Sequence, residues 1–98
     1  MKFISKKPRK NIVYLIRRLG YKPISRTQEE YNCVRSLRDG RYPRFHLYIR
    51  KQGANIVFNL HLDQKKPSYS GAAAHSGEYQ GPIIEKEAER IKELIKGL

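Results

Sequence analysis

Ninety-eight residues make room for one small domain, residues 1–98, and one modest core. Lys and Arg number 21 against nine Asp and Glu, a net charge of +12. Fifteen of those bases fall in residues 1–51 beside only Glu29, Glu30 and Asp39, so the excess lies wholly in the first half. With 31% charged and 39% hydrophobic residues the chain does not read as a disordered basic tail.

The single cysteine, Cys33, excludes an internal disulfide and a thiolate zinc cluster and fits a reducing compartment, so a cytoplasmic location is expected. No apolar run approaches membrane-spanning length, and the short apolar patch after Lys2 does not have the form of a signal peptide. A membrane partner is not expected.

Lys2 to Lys7 reads as a basic lead-in to a helix over residues 8–19, with Ser5 as a cap and Pro8 in its first turn. Ile12, Leu15, Ile16 and Leu19 give that helix an apolar stripe, Gly20 ends it, and Arg9, Lys10, Arg17 and Arg18 make its polar side basic. Residues 20–29 read as a connection. Strands are expected over Tyr31 to Arg38, Arg44 to Lys51 and Ala54 to Leu62. In the first, Tyr31, Cys33 and Leu37 share a face but take Arg35 with them. In the other two, Phe45, Leu47 and Ile49 and then Ile56, Phe58, Leu60 and Leu62 alternate with mostly polar residues.

A two-residue turn at Gln52-Gly53 would place Phe45 opposite Leu60, Leu47 opposite Phe58 and His46 opposite Asn59, with His46 and His61 as diagonal neighbours. Lys65 to Gly81 is rich in Gly, Ser and Ala, has no strand period and includes His75, which makes it a candidate functional loop. Pro82 opens a second helix with a stripe of Ile84, Ala88, Ile91, Ile95 and Leu98, and Glu85, Glu87 and Glu89 crowd its early turns. The expected fold class is therefore α+β, a two-layer sandwich in the order α-β-β-β-α, with a three-stranded antiparallel sheet and one open sheet face.

That face would display Arg44, His46, Tyr48, Arg50, Asn55, Asn59 and His61. Arginines neutralise phosphates, Tyr48 offers a stacking ring, and the amides and imidazoles supply hydrogen bonds. A nucleic-acid surface is expected from Arg44, Tyr48, Arg50 and Asn59 together with Arg9, Lys10, Arg17 and Arg18. Histidines also suit metal-free RNA cleavage, which needs a base and an acid titrating near neutral pH, so His46, His61 and His75 are the catalytic candidates. His61-x-Asp63 with His75 has no joining metal motif, and no metal or cofactor is expected.

The opening helix ending in Leu19-Gly20-Tyr21, the strand Arg44-Phe45-His46-Leu47-Tyr48 and the later His75-Ser76-Gly77 are similar to features of the small HicA-type messenger-RNA interferases, toxins of toxin and antitoxin pairs. The element order also resembles the double-stranded-RNA-binding fold that those proteins use. The resemblance implies a catalytic role for His46, although Pro43-Arg44 stands where the family has Gly-Ser. Glu85, Glu87 and Glu89 stand where the RNA-binding family has a lysine-rich helix start, which argues against its usual duplex grip.

Two functions follow as expectations. The first is a small RNA-binding protein, RNA being preferred to DNA, with a histidine-dependent ribonuclease as its enzymatic version. The alternative is a protein-interaction module that binds an acidic partner or self-associates through the sheet. Whether the chain is an enzyme is left open.

Overall fold

Alternation of apolar and polar residues commits the two clearest strands to one buried and one polar face. The computed structural model describes residues 1–64, 77–78 and 81–98 and places those strands at the centre of an antiparallel sheet. The elements run β1 (Lys2–Lys6), α1 (Ile12–Arg18), β2 (Lys22–Arg26), β3 (Glu30–Ser36), β4 (Arg44–Gln52), β5 (Asn55–Asp63), the two-residue β6 (Gly77–Glu78) and α2 (Pro82–Lys96). The strand order is β1-β5-β4-β3-β2, and β6 pairs with the last residues of β5. Ile12, Leu15, Ile16 and Leu19 around α1, and Ile84, Ala88, Ile91 and Ile95 of α2, pack on the face of Phe45, Leu47 and Ile49. Among the described residues no helix is long and apolar enough to cross a membrane.

The domain is α+β, but the expected sandwich in the order α-β-β-β-α with three strands is not what forms. The chain runs β-α-β-β-β-β-α through a five-stranded sheet extended by β6. Lys2–Lys6 is a strand: it pairs with β5, Phe3 lies opposite Phe58, and their rings stack at 4.9 Å. Only Phe3 of β1 is buried, while Ile4 is 63% exposed, so five residues carry no readable alternation. β2 lies inside the expected connection, and all five of its residues are exposed at a sheet edge with an irregularity between Pro23 and Ser25. Such a strand is specified by its pairing with β3 rather than by any alternation of its own. This topology overturns the likeness to the double-stranded-RNA-binding fold and to HicA-type interferases, and the toxin reading that rested on it.

Helix α1 starts at Ile12, four residues later than expected, because Asn11 is the cap: its Oδ1 accepts from the Tyr14 amide at 2.8 Å. Ser5 belongs to β1. Helix α2 begins at Pro82 as the sequence predicts. The β4–β5 turn sits on Gly53-Ala54, with Gly53 at φ 60° and Gln52 opposite Asn55. Relative to the expected pairing this slides the strands by two residues, which preserves both faces but changes every partner. Phe45 now meets Leu62, and His46 lies directly opposite His61.

Among the described residues Glu87 is the one carboxylate buried with the core, 4% exposed. Tyr21 donates its hydroxyl to it at 2.6 Å, Arg90 Nε approaches at 2.7 Å and Arg35 Nη1 at 3.3 Å. Arg90 also donates to the Leu19 carbonyl at 2.7 Å, so α2 is tied to the end of α1 and to β3 through one charge. Burial and the neighbouring Glu87 push the Tyr21 phenol far above its ordinary range, so it remains a donor.

Glu87→Ala should cost about 3 kcal/mol in urea denaturation, the low end for a buried ion pair because both arginines are one-third exposed. Tyr21→Phe should cost about 1.5 kcal/mol, and the double variant less than the sum because both remove the same hydrogen bond. Phe3→Ala should cost about 3 kcal/mol, which checks that β1 is an integral strand rather than a loose lead-in.

Candidate functional site

The antiparallel register stacks the helix-free face into rows that cross the sheet. One row runs Lys2, Asn59, Tyr48, Asn32 and Ser25 through all five long strands. The next runs His61, His46, Val34 and Lys22, and beyond it lies Asp63 opposite Arg44. Two environments result: a nearly dry polar cluster at the Asp63 end and an open groove toward the β4–β5 turn.

In the cluster, Asp63 receives two imidazoles. His46 Nδ1 lies 3.0 Å from Oδ2 and His61 Nε2 lies 3.1 Å from Oδ1, while Arg44 Nε stands 3.5 Å from Oδ2. His46 Nε2 is hydrogen-bonded to Asn32 Oδ1, and the Asn32 amide donates in turn to Ser25 Oγ at 3.1 Å. Tyr48 stacks on His46 at 4.7 Å, and the two imidazole rings stand 4.8 Å apart. Arg44 lies over the Tyr42 ring at 4.7 Å.

Both histidines are held below the ordinary imidazole pKa. Loss of hydration is the largest cause for each; the Asp63 charge pulls the other way without overcoming it. Arg44 adds to the depression at His46, and His46 and the terminal ammonium add to it at His61.

The groove has a volume of about 710 Å³ and lies toward the opposite end of the same face. Tyr48 and Val57 contribute apolar surface; Lys2, Arg26, Arg50 and Lys51 contribute charge, with Glu29 and Glu30 beside them. Arg50 is paired with Glu29 at 2.9 Å, both exposed, a weak pair in water.

Of the residues predicted from sequence, the structure brings together His46, His61, Tyr48, Arg44, Arg50 and Asn59 on one face. Arg17 and Arg18 belong to α1, which packs on the other face, and Arg9 and Lys10 lie in the loop that precedes it. One ligand strand therefore cannot lie along both basic surfaces without wrapping the domain. Nor does His46 present a ring nitrogen to a phosphate, since both of its nitrogens are engaged and Asp63 occupies the centre of the cluster. His75 lies outside the described residues. Cys33 is buried, donates to the Leu47 carbonyl, and has its thiol pushed up to about 12 by burial, so it is no nucleophile.

Sequence reasoning misses Asn32 and Lys2 in this surface. Asn32 is invisible until β3 is registered against β4, and Lys2 until β1 is recognised as a strand. A scan against family models finds no match to this chain, and searches of curated proteins and of solved structures also find none.

The histidine shifts give a pH dependence with a definite sign. A histidine whose folded pKa is depressed binds fewer protons than the unfolded chain, so its stability is full above the unfolded value and lost as pH falls below about 6.5. Urea midpoints should therefore drop through that window in metal-free buffer, and His61→Gln should flatten the slope. In proton NMR, both imidazoles should titrate below an exposed histidine.

Proposed function

We propose that this domain is a protein-interaction module that receives an acidic partner protein in the groove of its helix-free sheet face. The observation that carries the reading is the composition of that groove. Tyr48 and Val57 give it apolar contact surface, and Lys2, Arg26, Arg50 and Lys51 line it against only Glu29 and Glu30, so its wall is net positive. Aromatic and apolar surface set among polar and charged groups is common in protein interfaces.

A nucleic-acid backbone fits less well. Arg44, one of the expected phosphate contacts, is engaged by Asp63 and Tyr42, and the cations around α1 lie on the other layer. Self-association through this face would bring two copies of charge +12 together. Strand addition at the β2 edge is also disfavoured, because Pro23 and the irregularity after it blunt that edge. The surface that remains suits a partner segment with one or two apolar side chains flanked by Asp or Glu. Cys33, kept as a buried thiol, supports a reducing, cytoplasmic setting for that encounter.

A labelled amphipathic peptide alternating Glu and Leu, and a mixed-sequence single-stranded RNA, test the proposal by fluorescence anisotropy. The peptide should bind at low salt and weaken as salt rises. Arg50→Glu with Lys2→Glu should weaken it by about tenfold or more through reversed groove charge. Tight RNA binding that ignores those substitutions, or a concentration-dependent dimer in sedimentation, would overturn the reading.

A further inference from the structure

The Asp63 cluster holds an arrangement that the interaction surface does not use. With the Asn32 amide nitrogen toward Ser25 Oγ and its carbonyl toward His46 Nε2, a neutral His46 carries its proton on Nε2 and turns Nδ1 into a ligand atom. Its Nδ1 lone pair then faces Asp63 Oδ2, an acceptor, at 3.0 Å. That pair is joined either by a proton on Nδ1, with the Asn32 amide turned to donate to Nε2, or by a metal cation held between the two. A second imidazole nitrogen, His61 Nε2, approaches the other oxygen of the same carboxylate at 3.1 Å.

We propose that His46 Nδ1, His61 Nε2 and the Asp63 carboxylate form a site for a zinc-class divalent cation. The three donors lie within 4.8 Å of one another. A zinc ion with bonds of about 2.0–2.1 Å at tetrahedral angles spaces its ligand atoms about 3.3 Å apart, so modest side-chain rotation closes the set. Two imidazoles and one carboxylate match the ligand preference of zinc and its neighbours, whereas magnesium and calcium favour sites made of oxygen alone.

The surroundings supply what such a site needs beyond its ligands. Asn32 holds the non-coordinating nitrogen of His46, the outer contact that fixes ring orientation in metal sites. The three ligand side chains are only 11%, 11% and 15% exposed, so much of the cost of dehydrating them is met by folding. Three protein donors leave a coordination position for water or another ligand. The ladder between β4 and β5 holds the two histidines directly opposite each other, so the site is largely formed in advance.

Arg44 opposes the ion. Its Nε stands 3.5 Å from Asp63 Oδ2, and a metal must displace that contact. The stacking of Arg44 on Tyr42 gives the guanidinium somewhere else to rest. A proton on His46 would fill the same gap between acceptors, and the experiment separates the two.

The full chain, stripped with a chelator and dialysed, is titrated with zinc sulfate in a calorimeter. The expected result is one saturable site per chain with a dissociation constant on the order of 1 µM or tighter. His46→Gln, His61→Gln and Asp63→Asn should each weaken binding by about tenfold or more. Arg44→Gln should tighten it, a gain that a site built elsewhere would not give. Cobalt should bind the wild-type chain with the visible absorption of a four- or five-coordinate ion. The wild-type titration stands whether or not every variant folds. No saturable binding overturns the proposal in favour of the proton, and binding that survives both histidine substitutions in folded variants overturns it in favour of adventitious surface capture.

Discussion

The helix layer is oriented by one buried carboxylate. Glu87 satisfies Arg35 from β3, Arg90 from its own helix and Tyr21 from the segment after α1, and Arg90 adds the Leu19 carbonyl at the α1 terminus. Apolar contacts alone would allow α2 to slide or rotate on the sheet, since Ile84, Ala88, Ile91 and Ile95 meet a broad surface of similar side chains. A charge that must meet three partners does not tolerate such sliding, because any misplaced register leaves it buried and unpaired. The helix-free face depends on this in turn. With both helices held on one side, the polar residues of β4 and β5 are left on the other.

The second constraint is the β4–β5 register. Gly53, at φ 60°, lets the chain reverse after Gln52, and from that point the pairing of every residue along nine-residue strands is determined. A slide of two residues would leave the apolar face nearly as well packed, yet it would move His46 away from both His61 and Asp63, which are neighbours on β5. The polar cluster is thus more sensitive to the turn than the core is. Tyr48 connects the two halves of the face, since it stacks on His46 and also lines the groove. A ligand seated in the groove would touch the ring that packs the cluster.

Much of the core was legible because it is periodic. Ile12, Leu15 and Ile16, the alternating residues of β4 and β5, and the α2 stripe all lie where their spacing indicates. Two anomalies in that pattern are more instructive. Arg35 falls on the apolar face of β3, and Glu87 falls three residues after Ile84 on the apolar stripe of α2. Each alone contradicts its element, and together they are the buried ion pair. A basic residue out of pattern in one element and an acidic one out of pattern in another is a signal of contact that single-element periodicity discards. β1 and β2 were not legible for a different reason. Their residues are mostly exposed, and their strand character comes from partners 49 to 57 residues away for β1 and 5 to 12 residues away for β2. The direct pairing of the histidines was hidden by the turn, because both registers segregate polar from apolar equally well.

The charge excess that dominates the composition takes a different meaning once the strands are ordered. Arg35 and Arg90 are consumed by Glu87, Arg44 by Asp63, and Arg50 in part by Glu29. Arg17 and Arg18 remain exposed on the helix layer, while Lys2, Lys22 and Arg26 remain exposed on the sheet. A basic stripe on one surface would favour a continuous polyanion, since each successive phosphate would release counterions along the same path. Charge divided between two faces around apolar and aromatic surface instead rewards a ligand that brings its own few carboxylates to one face. The polar cluster adds to this asymmetry. It gathers an acidic group and two imidazoles on one face, so that within a chain of charge +12 one small region is suited to hold a cation.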